Sequence, residues 1–353
     1  MLDWSAAIAR FFATHEPAWR VPDPPLWLAL AFVATIVLGA LLIRKNKLHW
    51  PVVIATAALL ALLIASPWHP DIVPGELELT AIDVGQGDSL FLAYPEGATM
   101  LIDGGGRLEY GPVKRRSNLD IGEDVVSSYL WTRGIRYLDV IVATHAHQDH
   151  IGGLRALLDN FHPSQLWVGA NPPRDLMAQA QRQGIRVVER RASEPFPFSG
   201  ATLQILAPTA DYISEKPGNN DSLVLRATYG SKSILLTGDL ERAEEYRLLE
   251  PGHAPLTADV LKVGHHGSRT STTEEFLKAV SPSVAIISAG YENSFGHPHP
   301  DVVERLTDAR ITVLRTDIEG LAMVRTNGKL LIYKTQTWPP ELHRWLIATH
   351  LIH

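Results

Sequence analysis

Two long, uncharged apolar stretches near the amino terminus limit the folds open to this chain more than any other sequence feature. The first runs from Leu26 to Ile43 and the second from Pro51 to Trp68. At a rise of ~1.5 Å per residue, a helix over either stretch spans most of a ~30 Å hydrocarbon core. Trp50 and Trp68 flank the second stretch, as interfacial aromatic residues usually do. The sequence therefore predicts a transmembrane hairpin of two helices over residues 26–68.

Two other interpretations of these stretches stay open. One is a helical hairpin buried in a soluble core, where such long uncharged runs are uncommon. The other is a cleaved signal peptide, which the tandem arrangement and the charged residues ahead of Leu26 disfavour. The positive-inside rule places the basic loop Arg44–Lys47, which joins the stretches, in the cytoplasm. Residues after Trp68 are then expected on the outer, periplasmic or extracellular side of the cytoplasmic membrane.

The remaining boundaries follow from changes in composition along the chain. Residues 1–25 form an N-terminal interfacial segment, in which Trp4–Thr14 combines apolar side chains with Arg10. Residues 75–336 form one globular domain. Residues 337–353 form a C-terminal tail with the pattern of an amphipathic helix, and docking on the domain and docking on the membrane are both compatible with that pattern.

Composition restricts the chemistry of the globular domain. The 353 residues include no cysteine, which excludes disulfides, thiolate metal sites and cysteine nucleophiles. The 32 Lys and Arg against 38 Asp and Glu give a net charge of −6, so no global basic field attracts nucleic acid. Any metal must therefore bind to histidines and carboxylates. A nucleic-acid substrate would need those metals or a local patch such as the loop Gly106–Asp120. The alternative is that this loop is solvent-exposed and binds nothing.

After Pro74, short β-type runs alternate with turns and helix-like segments, which predicts an α/β fold. Helices are expected at Gly122–Thr132, Ile151–Leu158, Glu241–Leu249, Thr273–Ala279 and Asp301–Asp308. Strands are expected at Leu77–Val84, Ser89–Tyr94, Thr99–Asp103, Val140–Thr144, Gln165–Val168, Thr202–Leu206, Ser222–Thr228, Ser233–Thr237, Val260–Val263, Val284–Ser288 and Ile311–Arg315.

A histidine-rich sequence follows the strand predicted at Val140–Thr144. Residues two apart in an extended turn point to the same side, so His145 and His147 can converge on one ion. Asp149 and His150 then turn toward a second ion. A histidine-rich polar loop without metal is the alternative, but imidazoles and a carboxylate at this density are costly unless metal or solvent occupies them.

Three further strand ends carry groups that bind metals or transfer protons. Asp239 follows an apolar strand and can supply the bridging oxygen of a dinuclear site. His265 and His266 follow the strand at Val260–Val263, and His297 lies in a proline-containing loop. Clusters at strand ends are how α/β folds assemble sites from distant parts of the sequence.

Taken together, these motifs resemble the metallo-β-lactamase superfamily, whose HxHxDH signature matches residues 145–150. Within it, the chain resembles the C-terminal, extracellular domain of the ComEC family of competence DNA-uptake proteins. The resemblance extends from Leu77 to Tyr333, and residues 19–68 resemble the last membrane helices before that domain. It implies an αββα four-layer sandwich preceded by two transmembrane helices. The motifs that carry it are Asp83-Val84-Gly85-Gln86-Gly87-Asp88-Ser89, Leu101-Ile102-Asp103-Gly104-Gly105-Gly106, Asn219-Asn220-Asp221-Ser222-Leu223-Val224-Leu225, Leu236-Thr237-Gly238-Asp239, His265-His266-Gly267-Ser268 and Gly296-His297-Pro298-His299.

The resemblance also implies a set of ligands for two divalent ions, Zn²⁺ or Mn²⁺. His145 and His147 hold the first ion and Asp239 bridges to the second. Asp149, His150 and one histidine of the His265-His266 pair complete the second site, with His266 favoured as the ligand and His265 as its neighbour in the catalytic site. The chain departs from many superfamily members at Asn219-Asn220-Asp221, where they supply a further histidine, and this departure favours a weaker first site or a harder ion such as Mn²⁺.

Other polar residues around this set have two interpretations each. His297 either donates a proton to the leaving group or stabilises developing charge, or it is a structural histidine in a proline-fixed loop. Asp83, Asp88 and Asp103 are expected to orient ligands or form turns rather than to bind metal. Asp149 is counted with His265 and His297 among the catalytic residues.

Three functions are compatible with these motifs. The leading hypothesis is a nuclease that acts on DNA, in single-stranded form, at the membrane during competence-type uptake, beside a channel-forming membrane protein. The second is a membrane-anchored phosphodiesterase or esterase that acts on a small molecule. The third is a binding module without metals, which the intact set of ligands disfavours.

Overall fold

The computed structural model describes residues 22–45, 47, 49–107, 119–214 and 216–336. Residues 1–21 of the predicted interfacial segment, the basic residues 114–116 and the tail at residues 337–353 lie outside this part of the chain. The structure has two compact units. The first contains the residues up to Pro70 together with Trp131–Arg136, and the second contains the rest.

Two apolar helices make up most of the first unit, α1 (Leu26–Arg44) and α2 (Trp50–Ala65). Helix α1 has 19 residues and is long and apolar enough to cross a membrane, and only 6% of its most apolar 18-residue segment is buried. Helix α2 is equally apolar but has 16 residues. One candidate span is therefore present among the described residues, and the second transmembrane helix stays a prediction.

The first unit has polar and aromatic contacts near the first residues of α1 and the last residues of α2. The Arg136 guanidinium donates to the carbonyl oxygens of Ala65 at 2.8 Å and Ile64 at 3.2 Å. These carbonyls belong to the last turn of α2, which has no helical partner for them, so the guanidinium caps the helix. The rings of Trp27 and Trp68 meet edge to face with centroids 6.5 Å apart.

The second unit contains two β-sheets. The eight-stranded sheet has the order β15-β14-β1-β2-β3-β4-β5-β6, with parallel pairing from β3 to β6 and antiparallel pairing elsewhere. Its strands are β1 (Leu77–Ala81), β2 (Leu90–Ala93), β3 (Thr99–Ile102), β4 (Val140–Ala143), β5 (Gln165–Val168), β6 (Arg186–Glu189), β14 (Ala322–Thr326) and β15 (Leu331–Thr335).

The seven-stranded sheet has the order β13-β12-β11-β10-β9-β8-β7 and is parallel from β10 to β13. Its antiparallel half folds as two hairpins. Its strands are β7 (Phe196–Phe198), β8 (Ala201–Ala207), β9 (Val224–Tyr229), β10 (Lys232–Leu236), β11 (Val260–Lys262), β12 (Val284–Ile287) and β13 (Thr312–Arg315).

Side chains that alternate along the strands form the core between the two sheets. Met100, Val140 and Val142 of the first sheet join Leu225 and Ile234 of the second in one buried cluster. The opposite face of the second sheet packs against helices in another cluster. Because successive residues of a strand face opposite sides, the second sheet is apolar on two faces, one against the first sheet and one against helices. The expected α/β architecture of two facing sheets is confirmed.

Helices and short helical turns connect many of the strands. A π-helix at Ile121–Ser127 leads into α3 (Ser128–Thr132), and short 3-10 turns lie at Asn219–Asp221 and Gly264–Gly267. The other helices are α4 (Gln148–Ile151), α5 (Leu154–Phe161), α6 (Arg174–Arg182), α7 (Arg242–Leu248), α8 (Glu274–Val280), α9 (Pro300–Asp308) and α10 (Thr316–Glu319).

The helix predicted at Ile151–Leu158 begins and ends three residues later, as α5, and Gly152 and Gly153 separate it from the short α4. A Cβ added at Gly153 would lie 2.2 Å from the carbonyl oxygen of Gly104. The backbone that follows β3 thus passes directly against the turn after α4. The lack of a side chain at Gly153 permits this close approach.

Candidate metal centre

The predicted site residues follow the carboxyl ends of parallel strands in both sheets. The histidine-rich turn after β4 begins with His145, and Asp103 follows the neighbouring strand β3. Asp239 follows β10, and His266 follows the adjacent strand β11. Since parallel strands end at a common edge, both sheets present polar groups at the same place. The structure brings these groups together in a buried cluster.

Four donor atoms at the centre of this cluster have separations that suit one metal ion. The distances are 3.2 Å from His150 Nε2 to Asp239 Oδ2 and 3.4 Å from His266 Nε2 to the same oxygen. His266 Nε2 also lies 3.4 Å from Asp149 Oδ2 and 3.3 Å from His150 Nε2. Donors bound tetrahedrally at ~2.0–2.1 Å are separated by about 3.3–3.4 Å, so the residues fit a divalent ion.

The other nitrogen of each of these two imidazoles is held by the protein. His150 Nδ1 lies 2.7 Å from Asp103 Oδ2, and His266 Nδ1 lies 2.9 Å from the carbonyl oxygen of Ser288. Asp103 is fully buried and also accepts a hydrogen bond from the Thr144 amide at 2.9 Å. An acceptor at Nδ1 fixes the tautomer that leaves Nε2 free to bind a metal.

The Asp239 carboxylate lies between two groups of histidines. Its Oδ2 atom is 3.9 Å from His145 Nε2 and 3.9 Å from His265 Nε2, in addition to its contacts with His150 and His266. Its Oδ1 atom is buried without a hydrogen-bond partner. Both features fit the oxygen that a bridging carboxylate offers to two ions.

His145 and His147 form the other side of this arrangement, with ring centroids 4.6 Å apart. His145 Nδ1 lies 3.1 Å from Thr144 Oγ1 and 3.4 Å from Ser222 Oγ. Its Nε2 atom is buried and has no hydrogen-bond partner. A buried imidazole nitrogen without a partner is costly, which fits a position that a metal ion satisfies.

The charges in the cluster stabilise one another. Burial alone would raise the pKa of Asp239, but the adjacent His150 and His266 hold it well below its usual range. Burial would lower the pKa of both histidines, but the carboxylates around them raise it well above the usual range. The pKa of His145 is well below normal because of burial and the charge of His150. Without metal, the cluster therefore holds protons that metal binding must release.

His265 and His297 lie on the exposed side of the cluster. His265 is partly exposed, and its Nδ1 atom lies 3.2 Å from Glu241 Oε1. The His297 ring lies 5.5 Å from that of His265 and stacks on Phe295 at 5.8 Å. Burial and the positive charges of His265 and His266 lower the pKa of His297 to about 4. At neutral pH the His297 ring is thus uncharged, and the roles predicted for it stay predictions.

The backbone at the histidine pair adopts an uncommon conformation. His265 has φ 46° and His266 has φ 54°, both in the left-handed region that costs ~1–2 kcal/mol per residue. Two such residues in succession turn their side chains differently, so that His266 is buried and His265 is partly exposed. Strain of this kind persists where surrounding contacts enforce it, commonly at functional sites.

Two charged residues lie beside the cluster: Asp88, which was expected to orient ligands or form a turn, and Lys262, which was not among the predicted site residues. Asp88 forms a mutually close group with His150, Asp239 and His266, in which the four ligand atoms lie within 4.8 Å of one another. Its carboxylate nonetheless faces the Nδ1 atoms of the histidines, at 3.4 Å from His266 and 4.0 Å from His150. Lys262, fully buried, forms an ion pair with it. A lysine in an otherwise apolar central strand was the available signal.

Gly87 allows the loop after β1 to reach the histidine-rich turn. A Cβ at Gly87 would lie 2.1 Å from the Asp149 carbonyl oxygen. We expect Gly87→Ala to displace Asp149 and to weaken metal binding by ~10–100-fold, as changes that disturb ligands do. The measurement is titration with Zn²⁺ or Mn²⁺. Gly85→Ala is the matched control, because Gly85 also has positive φ but an added Cβ meets nothing within 4 Å. Equal affinities in the two variants would contradict this prediction.

Comparison with known proteins gives matches over most of the chain. A family model described as the metallo-beta-lactamase superfamily matches residues 82–291. ComE operon protein 3 of Bacillus subtilis is 34% identical over 91% of this chain and 42% of its own length. Competence protein ComA of Neisseria gonorrhoeae is 32% identical over 88% of this chain and 40% of its own length. Recombination protein 2 of Haemophilus influenzae is 31% identical over 71% of this chain and 29% of its own length. The chain thus spans less than half the length of each of these relatives.

Proposed function

The chain belongs to the metallo-beta-lactamase superfamily, and from this membership and the geometry of its centre we propose that it is a two-metal phosphodiesterase that cleaves DNA. The resemblance to competence proteins expected from the motifs is confirmed by the matches. The observation that carries the proposal is the Asp239 carboxylate, whose Oδ2 atom is within 3.9 Å of imidazole nitrogens on both sides.

The ligands of the two ions divide at Asp239. We assign His145 and His147 to the first ion, and Asp149, His150 and His266 to the second, with Asp239 shared. Two divalent ions bound at such a centre supply Lewis acidity for the attack of water on an ester. Imidazole and carboxylate donors without thiolates suit Zn²⁺ and Mn²⁺ alike.

Protein groups around the ions orient the ligands and the substrate. Asp103 and Ser288 hold the Nδ1 atoms of His150 and His266, so the Nε2 atoms keep their direction. At the exposed side, the uncharged ring of His297 can donate a hydrogen bond to the substrate without titrating near neutral pH. We therefore assign it the stabilisation of developing charge.

DNA as the substrate is supported by the relatives and by one aromatic side chain. One of the matched proteins is named for competence, one for the ComE operon and one for recombination. Phe295 is 37% exposed and stacks on His297 beside the centre. An exposed aromatic ring at a catalytic site offers a base a stacking surface of any sequence, which fits single-stranded DNA.

Glu241 favours the second candidate function, a membrane-anchored phosphodiesterase or esterase that acts on a small molecule. Its carboxylate is 30% exposed beside His265 and accepts a hydrogen bond from Thr270 at 2.7 Å. The hydrogen bonds from His265 and Thr270 and the charge of His265 lower the pKa of Glu241, so it is ionised at neutral pH. A negative charge at the mouth of the centre repels a polyanion more than a small ester.

Cleavage assays on the whole chain in detergent distinguish these candidates. The substrates are a labelled single-stranded DNA and bis-p-nitrophenyl phosphate, each with Mn²⁺ or Zn²⁺ and with a chelator. We expect metal-dependent cleavage of DNA, and a several-fold loss of DNA cleavage alone in Phe295→Ala, since stacking contributes ~1–3 kcal/mol per base. Hydrolysis of the small ester without any cleavage of DNA would support the second candidate instead.

Helix α1 and the matched competence proteins support a location at the cytoplasmic membrane. We propose that residues 75–336 lie on its outer side, next to a channel-forming protein of the uptake machinery. A periplasm-dependent reporter fused to the C-terminus should then be active, whereas a reporter that works only in the cytoplasm should be inactive. The opposite pattern would reverse this topology.

A further inference from the structure

Lys262 is a fully buried lysine at the bottom of the proposed metal centre. It is the last residue of β11, which lies between β10 and β12 in the second sheet. Its ammonium group forms an ion pair with Asp88, which belongs to the loop after β1 of the first sheet. The same group donates to the Gly238 carbonyl oxygen at 3.1 Å and lies 4.0 Å from Asp239 Oδ1. Lys262 thus contacts both sheets directly beneath the bridging carboxylate.

A charge in this position needs a reason, because burying an ammonium and a carboxylate together costs several kcal/mol per ion before their attraction is counted. An apolar residue would fit a central strand better. The partner of Lys262 suggests the reason. Asp88 is a carboxylate close enough to His150, Asp239 and His266 to bind a metal with them, since the four ligand atoms lie within 4.8 Å.

We propose that Lys262 is a positioning residue whose ammonium group keeps Asp88 out of the set of metal ligands. The ion pair occupies the Asp88 carboxylate on the Nδ1 side of His266, away from the Nε2 atoms that face Asp239 and Asp149. The hydrogen bond to Gly238 fixes the residue before Asp239, whose φ of 52° sets the turn that presents the bridging carboxylate. This inference rests on the proposed two-metal centre.

Cobalt binding tests the inference, because the visible absorption of Co²⁺ weakens as its coordination number rises. The whole chain is stripped of metal and titrated with Co²⁺ in its wild-type, Lys262→Met, Asp88→Asn and double-substituted forms. In Lys262→Met, Asp88 loses its cation and should bind the metal, which weakens the absorption. In the double variant the added ligand is absent, so the wild-type spectrum should return.

Asp88→Asn tests the same point without a change at Lys262. Asp88 is not a ligand in the proposal, so the number of Co²⁺ ions per chain and the shape of the spectrum should match the wild type. The affinity should fall by ~10–100-fold at most, as for other groups that contact ligands. Lys232→Met is the control for the loss of a lysine ion pair, since Lys232 pairs with Asp259 at 2.7 Å outside the cluster.

The outcomes of these Co²⁺ titrations decide whether Lys262 has the proposed role. A wild-type spectrum in a folded Lys262→Met protein, judged by circular dichroism, would overturn the role of Lys262. If that variant does not fold, an altered spectrum or stoichiometry in Asp88→Asn would overturn it, because Asp88 would then be a ligand in the wild type. A wild-type chain that binds no Co²⁺ would instead remove the metal centre itself, which separates failure of the proposed function from failure of this inference.

Discussion

Replacement of Asp239 by alanine should abolish metal-dependent hydrolysis while the fold remains. Asp239 is buried and its Oδ2 atom contacts four imidazoles, so its loss removes the oxygen proposed to be shared by both ions. The contribution of metal ions to catalysis amounts to several kcal/mol, and we expect turnover to fall by roughly a thousandfold or more. Metal content by mass spectrometry and turnover of the phosphodiester are the two measurements.

Asp211→Ala is the matched control for this change. Asp211 is 78% exposed and pairs with Arg247 on the surface at 2.9 Å, and such pairs contribute ~0–1 kcal/mol. The control protein should keep its metal and its turnover. If Asp239→Ala retained both, Asp239 could not bridge the ions, and the proposed centre would have to be built on other carboxylates.

The second large effect should separate the two adjacent histidines. His266 is buried, with its Nε2 atom within 3.4 Å of Asp239 and Asp149, whereas the His265 side chain is 22% exposed and lies 3.9 Å from Asp239. We expect His266→Ala to lose metal affinity by more than the ~10–100-fold that groups around the ligands contribute. His265→Ala should lose less than ~10-fold, which is below that range.

The two variants serve as controls for each other, because both remove an imidazole from a left-handed position of the same turn. Any cost in backbone conformation is therefore similar in the two proteins. Metal titration followed by calorimetry gives the affinities, and circular dichroism reports the fold. Equal losses would show that both imidazoles bind metal, and a larger loss in His265→Ala would exchange their assigned roles.

Local sequence patterns predicted the strands that border the centre within a few residues. The run Val140–Thr144 became β4, and Val260–Val263 became β11, because buried parallel strands are short, continuous apolar runs that stand out between polar turns. Strands β6, β7, β14 and β15 were not predicted. Each of them has exposed or half-buried residues, so its pattern of apolar side chains is weak, and its pairing depends on a neighbouring strand.

Residues of the site were predictable where they lay in a dense motif and less so where the fold brought them together. His145, His147, Asp149 and His150 were visible as a spacing within one turn. The ion pair between Asp88 and Lys262 was not predictable, since the two residues are far apart in sequence and meet only because the two sheets face each other. The long-range placement of His297 was equally inaccessible, and with it the burial that lowers its pKa.

The origin of the ligands in both sheets has a thermodynamic consequence. His145 and His150 follow β4 of one sheet, while Asp239 and His266 follow β10 and β11 of the other. A metal ion bound between them cross-links the two halves of a domain that has no cysteine to do so. An ion that binds only the folded state adds about 1.4 kcal/mol to the free energy of unfolding for each tenfold excess of its concentration over its dissociation constant. The concentration of free metal would therefore determine the stability of the domain as well as the rate of hydrolysis. Scarcity of divalent ions would then shorten the lifetime of the protein against proteases.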